Sequence, residues 1–219
     1  MPMFEQIPER IPAHIAALCL TIYWAYVIRK LIRMRRKHGT DPNAMPKELI
    51  GQLMRILWYP IIMILIAALW ITAVIAPNYL KTHTNFLLQW LFPPTTWWYI
   101  AVFPASLICI IFTIFTFVCW RKMGRSWRIG INPNEKLTLV STGPYRYVRH
   151  PIYSLRMVIN ACAFLMAPTL LVLIPAAIDF LLLQIEARRE ERYMESTHGQ
   201  DYANYKKSVG RFVPRAFVV

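Results

Sequence analysis

Charged residues are scarce in this chain, at 16% against 57% hydrophobic. A soluble globule of 219 residues cannot bury that much apolar surface and still cover its outside with so few charges. A membrane protein is the class that remains, and the mean hydropathy of +0.37 agrees. Cysteine is thin as well. Cys19, Cys109, Cys119 and Cys162 all lie in apolar stretches with no CxxC spacing, which indicates neither a disulfide framework nor a zinc site; no metal is expected, and the four read as small packed hydrophobes. The opening MPMFEQIPER lacks a basic n-region, so the first apolar stretch reads as a retained span and not a cleaved signal. No internal repeat, low-complexity tract or separate substrate domain is visible.

Acidic residues are also few, 11 against 25 Lys and Arg, for a formal net charge of +14. Such a charge would suit nucleic acid if it were clustered. Here the basic residues alternate with apolar blocks, as cations do when they fix orientation in a bilayer, so membrane lipids and no nucleic acid are the expected partners.

A hydrocarbon core of about 30 Å needs about 20 helical residues. Residues 11–28, 53–76 and 97–120 reach that length. The run 86–92 is too short to cross and ends at Pro93-Pro94, so it reads as interfacial, with Trp90, Trp97 and Trp98 as an aromatic belt. A fourth apolar region, 157–184, has 28 residues, which makes about 42 Å of helix, long for one crossing and short for two. Charge parity breaks the tie. Lys plus Arg number 1 before residue 11, 8 in 29–55, 1 in 77–96, 8 in 121–156 and 7 in 186–219, which places the N-terminus outside and the last two segments both in the cytoplasm. An even number of crossings must then separate 156 from 186, so the expectation is a tight hairpin turning at Pro168. A single tilted helix kinked at Pro175 is the alternative. The fold class expected is an all-α integral membrane protein of about five transmembrane helices, the last two a hairpin, with a cytoplasmic C-terminal helical extension ending near His198-Gly199. Residues 1–96 hold the N-terminal helices and interfacial segment, and 97–219 form the core.

Two polar clusters flank the hairpin: GPYRYVRHPIY, from Gly143 to Tyr153, and REERY, from Arg189 to Tyr193. A hairpin brings its ends together, so the clusters face each other. Gly143-Pro144 signals a turn, and Pro151 in the first turn of the next helix costs nothing because that amide has no intrahelical partner. Arg149 and His150 then sit at the mouth of that helix, where backbone dipoles favour an anion. Arg146, Tyr147 and Arg156 read most simply as interfacial anchors. Asp179 is an acid inside the last apolar stretch; it either lines a tunnel with Gln184 and Glu186 or pairs with Asn160 across the hairpin.

The composite MGRSWRIGI, then LVSTGPYRYVRHPIY, then EERYMESTHGQDYANYKKSVGRFVP resembles the C-terminal half of the membrane methyltransferase superfamily that contains isoprenylcysteine carboxyl methyltransferases and phospholipid N-methyltransferases. The resemblance spans residues 123 to 214, with Glu190, Glu191, Tyr202, Tyr205 and Lys206 at matching positions. Two positions depart: Leu155 stands where a glycine is common, and His198 where an aromatic is usual. What the resemblance implies is an S-adenosylmethionine-dependent methyltransferase whose cofactor site is formed by the RHP block, the hairpin end and the carboxylates. The residue types fit that cofactor. Its carboxylate wants a cationic anchor, which Arg149 and His150 offer; its ammonium and ribose hydroxyls want carboxylates, which Glu190 and Glu191 offer; its adenine wants walls such as Tyr145, Pro151 and Tyr153. For an amine or thiol acceptor His150, Glu190 or Glu191 is the candidate base, and Arg149 positions acceptor or cofactor. The acceptor expected is a lipophilic small molecule or lipid-anchored group: a prenylated cysteine carboxylate, a lipid amine, a small thiol or a quinone-like hydroxyl. Two other readings stand beside it, an NADPH-dependent membrane sterol or steroid reductase, since some of these resemble the superfamily at RHP-x-Y, and a non-catalytic scaffold or transporter component.

Single cysteines at positions 135 and 205 of a Cys-free chain should react with an impermeant reagent from the same side of the membrane, and labelling from opposite sides would sink the hairpin.

Overall fold

Apolar helix formers dominate the chain, and the computed structural model, which describes residues 7–38, 49–74, 91, 96–124, 127 and 138–215, is helical almost throughout. Helix α1 spans Ile7–His38, α2 Leu49–Val74 and α3 Thr96–Met123. Helix α1 outruns the apolar stretch expected to end at 28 because RKLIRMRRKH is built largely of good helix formers. Helices α4, Pro151–Met166, and α5, Leu170–His198, form the hairpin, and a short α6, Gln200–Ser208, follows. Among the described residues no strand forms; the only bridge is a parallel one between Val148 and Gly210. Pro12, Pro60, Pro104 and Pro175 all lie inside helices, a position tolerated where neighbouring helices shield the freed carbonyl.

By length and composition four helices are able to cross a membrane: α1 over Ile11–Arg36, α2, α3 over Ile100–Met123, and α5. The expectation of about five is met only in part, because the hairpin has unequal arms. Helix α4 has 16 residues, about 24 Å at 1.5 Å per residue, and is a shorter apolar helix. The hairpin itself replaces the single kinked helix. Its turn lies at Ala167-Pro168-Thr169, where the Ala167 amide still bonds back to Ala163 O at 3.0 Å and the Leu173 amide reaches Thr169 O at 2.9 Å. The second arm ends where it was expected to, at His198, with Gly199 at φ +53°.

Trp98 departs from the belt reading. It is buried, and its indole donates to Leu165 O at 2.9 Å, occupying a carbonyl that the end of α4 leaves open. Of the interfacial run 86–92 only Leu91 is described, its amide bonded to Pro168 O at 2.7 Å; Trp90 and the Trp97 side chain lie outside the described residues. The four cysteines are buried and free.

Helix α4 packs on α3 and α1, and α5 on α2 and α4. Where these helices meet, Asp179 is fully buried and its partners come from two other helices. It accepts from Trp58 Nε1 at 2.8 Å, from Asn160 Nδ2 at 2.7 Å and from Arg156 Nη2. Asn160 is thus its partner, as one of the two readings held, and Arg156, read as an anchor, is instead buried beside it. The guanidinium lies over the rings of Trp24 at 4.9 Å and Trp58 at 5.2 Å. Breaking one member of a buried ion pair strands the other charge and costs about 3–5 kcal/mol. Asp179→Ala should therefore lower the unfolding midpoint of the detergent-solubilised protein clearly, whereas Asp179→Asn with Arg156→Gln, which removes both charges, should lower it less.

Candidate active site

The site is built where the chain enters and leaves the hairpin. Gly143-Pro144 opens a single 3-10 turn, Gly143–Arg146, with Gly143 at φ +66°, a conformation that glycine adopts without a Cβ penalty. Val148 to His150 then lie beside the tail: the Arg149 amide donates to Gly210 O at 2.8 Å and the His150 amide to Arg211 O at 3.0 Å. The tail folds tightly there. A Cβ at Gly210 would lie 1.9 Å from Val213 O, so only glycine fits. Pro151 opens α4 with His150 as its N-cap.

Glu191 is the hub. Its Oε1 accepts from Arg149 Nε at 2.9 Å and from Arg211 Nε at 3.0 Å, while Oε2 accepts from Arg211 Nη2 at 2.6 Å. Arg149 Nη2 is also 2.9 Å from Oε1. Arg149 Nη1 donates to Lys206 O at 3.1 Å and to Val209 O. Tyr205 donates its hydroxyl proton to Tyr145 O at 2.5 Å, joining α6 to the turn.

Glu190 points elsewhere. It accepts from the Tyr153 hydroxyl at 2.7 Å and lies 3.4 Å from His150 Nδ1. The imidazole stacks on Tyr153, with centroids 5.4 Å apart and planes 4° from parallel. Its Nε2 lies 3.4 Å from Glu191 Oε1 but makes no directed hydrogen bond. Burial alone would lower the proton affinity of His150; hydrogen bonding and charge from Glu190 and Glu191 outweigh it, and the pKa stands above the ordinary value. Burial also raises the Tyr145 and Tyr205 hydroxyls, the latter to about 12.

These residues line a cavity of about 190 Å³. Tyr145, Arg149, His150, Pro151, Tyr153 and Glu190, each singled out from the sequence, all contribute to its wall. Glu191 does not; it sits behind, holding Arg149, His150 and Arg211 in place. Arg149 is itself tied to Glu191 and two carbonyls, so its surface toward the cavity is that of an oriented, largely satisfied guanidinium. Sequence reasoning missed the opposite wall, made by Tyr23, Trp24, Arg55, Trp58 and Tyr59 of α1 and α2, and it missed Arg211. For Arg211 a signal existed in the tail motif VGRFVP. For the aromatics none did, because aromatic residues in an apolar span look the same whether they face lipid or a cavity.

The comparison with known proteins falls on this region. Residues 105–196 match the isoprenylcysteine carboxyl methyltransferase (ICMT) family. The match begins within α3, takes in the RHP block and both glutamates, and ends near the end of α5. No curated protein matches the chain.

The raised His150 pKa carries a pH dependence whose sign is fixed. The stabilisation from the protonated ring against Glu190 and Glu191 is fully present below the unfolded value of ~6.5 and is lost as pH rises through the higher folded value. The unfolding midpoint of the parent should exceed that of His150→Gln by a margin that shrinks as pH rises above the unfolded value of ~6.5, and a margin that grew with pH would contradict the geometry.

Proposed function

We propose that the chain is an S-adenosylmethionine-dependent methyltransferase of the membrane, acting on a lipophilic acceptor. One observation carries the reading beside the family match: the two ends of the hairpin bring Glu190 and His150 to a shared cavity wall whose polar and aromatic groups complement that cofactor. The fit rests on free hydrogen-bonding capacity. His150 Nε2 and the Tyr145 hydroxyl are buried with no hydrogen-bond partner, Glu190 keeps acceptor sites beyond its bond from Tyr153, and Tyr193, Tyr202 and Tyr205 add aromatic surface. Glu190 is the acceptor for the cofactor's ammonium or ribose hydroxyls, His150 and Arg149 face its carboxylate, and Tyr145, Pro151 and Tyr153 pack against its apolar parts. When bound, S-adenosylmethionine supplies an activated methyl group on a sulfonium. The protein's own share is to hold the reactants in line and keep water out, which contributes much of such an acceleration. Glu191 serves at one remove, fixing Arg149 and His150.

For an acceptor that must lose a proton, Glu190 is the base, held in place by the Tyr153 hydroxyl and the protonated His150 ring. A carboxylate or thiolate acceptor needs none. The motif-bearing hairpin ends belong on the cytoplasmic side by the basic-residue count, with the acceptor entering from the bilayer. The reductase reading draws no support from the family match, which is to methyltransferases.

Purified in detergent, the parent should bind S-adenosylmethionine and not NADPH. Glu190→Gln removes a charge with little change of shape, and loss of one charge-assisted bond should weaken binding roughly tenfold to a hundredfold. Arg149→Gln should also weaken it, while Arg146→Gln, at an exposed position, leaves it unchanged. Equal affinity in folded Glu190→Gln and Arg149→Gln would return both clusters to the role of topology anchors.

A further inference from the structure

Outside the cavity, basic residues at the ends of two helices stand without an acidic partner among the described residues. Arg29 and Arg33 of α1 and Arg121 and Lys122 of α3 are exposed, and the ion pairs of the fold run elsewhere, through Arg149, His150, Arg156, Arg189, Lys206 and Arg211. Contacts between α1 and α3 bring these cations together. Tyr26 meets Phe117 and stacks on Trp120, with centroids 5.1 Å apart and planes 2° from parallel. Further along, Lys30 donates from Nζ to Trp120 O at 2.9 Å and lies 4.6 Å from the Trp127 ring centroid. The two helices therefore run the same way, with their C-terminal ends side by side. Tyr26, Lys30 and Arg33 are spaced by 4 and 3, so Arg33 continues the side of α1 that faces α3, one turn past Lys30 and beside the Arg121-Lys122 end.

The helix dipoles answer only part of this charge. Two C-terminal ends offer roughly half a negative charge each against four cations. The apolar surroundings name what answers the rest. Leu18, Ile22, Arg29 and Arg33 are spaced by 4, 7 and 4, so one face of α1 is apolar within the span and cationic at its end. Leu18 and Ile22 are 47% and 52% exposed, and Ile28 and Ile32 are exposed beside the arginines. A surface that passes from leucine and isoleucine to arginine within two turns matches the step from acyl chain to headgroup. A soluble acidic protein would have to displace lipid to reach it.

We propose that the paired ends of α1 and α3 form a headgroup site for an anionic phospholipid, with Arg29, Arg33, Arg121 and Lys122 binding its phosphate and Ile28 and Ile32 against its chains. The site lies outside the cavity and does not depend on the methyltransferase reading. It adjoins the candidate active site through Lys122, whose Cγ lies 3.3 Å from where a Cβ on Gly143 would be. A lipid held there sets the turn before the RHP block at headgroup level.

The test is lipid retention by the full-length protein in mixed detergent micelles, read by native mass spectrometry with dioleoylphosphatidylglycerol and dioleoylphosphatidylcholine as probes. The two share their chains, so a preference reports the headgroup. The parent should retain the anionic lipid roughly tenfold more tightly or better, and less so as ionic strength rises. Arg29→Gln, Arg33→Gln and Arg121→Gln should each lose roughly fivefold, the factor that one cation near an anionic headgroup contributes. Arg33→Lys keeps the charge and should keep most of the preference, and it serves if Arg33→Gln does not elute as monodisperse protein. Arg188→Gln, at an exposed position of α5, removes the same charge elsewhere and should change nothing. Equal retention of the two lipids by the parent would reduce the four residues to orientation anchors, and equal losses in Arg188→Gln and the α1 variants would reduce the effect to net charge; either result overturns the site. No lipid preference, together with binding of a soluble hexaglutamate that Arg33→Gln abolishes, would overturn it in favour of an acidic protein partner.

Discussion

The base of the hairpin hangs on one carboxylate. Glu191 is buried and surrounded by Arg149, Arg211 and His150, which come from the stretch before α4 and from the tail. A buried carboxylate is tolerable only with such partners, and partners of this kind are tolerable only with the carboxylate. The cluster therefore forms as a unit. Its consequence is positional: the segment Val148 to His150 is pinned between α5 and the tail, and the imidazole is presented to the cavity with its ring stacked on Tyr153. The groups facing the cavity owe their orientation to a residue that does not face it.

Helix α5 carries the same logic along its length. Asp179, Glu186 and Glu190 are spaced by 7 and 4 residues, which puts them on one face. Each is answered differently. Asp179 is enclosed by Trp58, Asn160 and Arg156; Glu186 pairs with Arg189 within the helix; Glu190, partly exposed, meets Tyr153 and His150. Ionisable residues in an apolar helix are costly and mark function or buried structure. On this helix the deepest acid orders α2, α4 and α5 about itself, and the shallowest one faces the cavity. Going from one to the other along α5 is going from the packed core to the cavity wall.

Much of this is legible in the residues themselves. The length of 157–184, the basic counts on either side and Pro168 together call for a hairpin, and the hairpin forms with its turn there. GPYRYVRHPIY and REERY stand at its two ends, so their meeting is legible too. Local context misleads at single residues. Trp98 beside an apolar run looks like a belt residue, yet its indole lies on Leu165 O. Arg156 looks like an anchor because an arginine near the start of a span usually is one. The hairpin arms look alike in hydropathy, and they differ because α4 begins at Pro151 and stops at Met166.

By itself the sequence determined the class, the helical segments, the hairpin and the identity of the two polar clusters, because length, hydropathy, proline position and charge count are local properties that act on each segment alone. Only the tertiary structure decided which polar groups are partnered and which remain open. Trp58 reaches Asp179 across 121 positions and Arg149 reaches Glu191 across 42, and the α1 and α2 aromatics face the cavity only because α4 and α5 pack against them. Those pairings depend on how helices rotate about their axes when packed, and a periodic apolar span carries little record of which of its faces will meet protein and which will meet lipid.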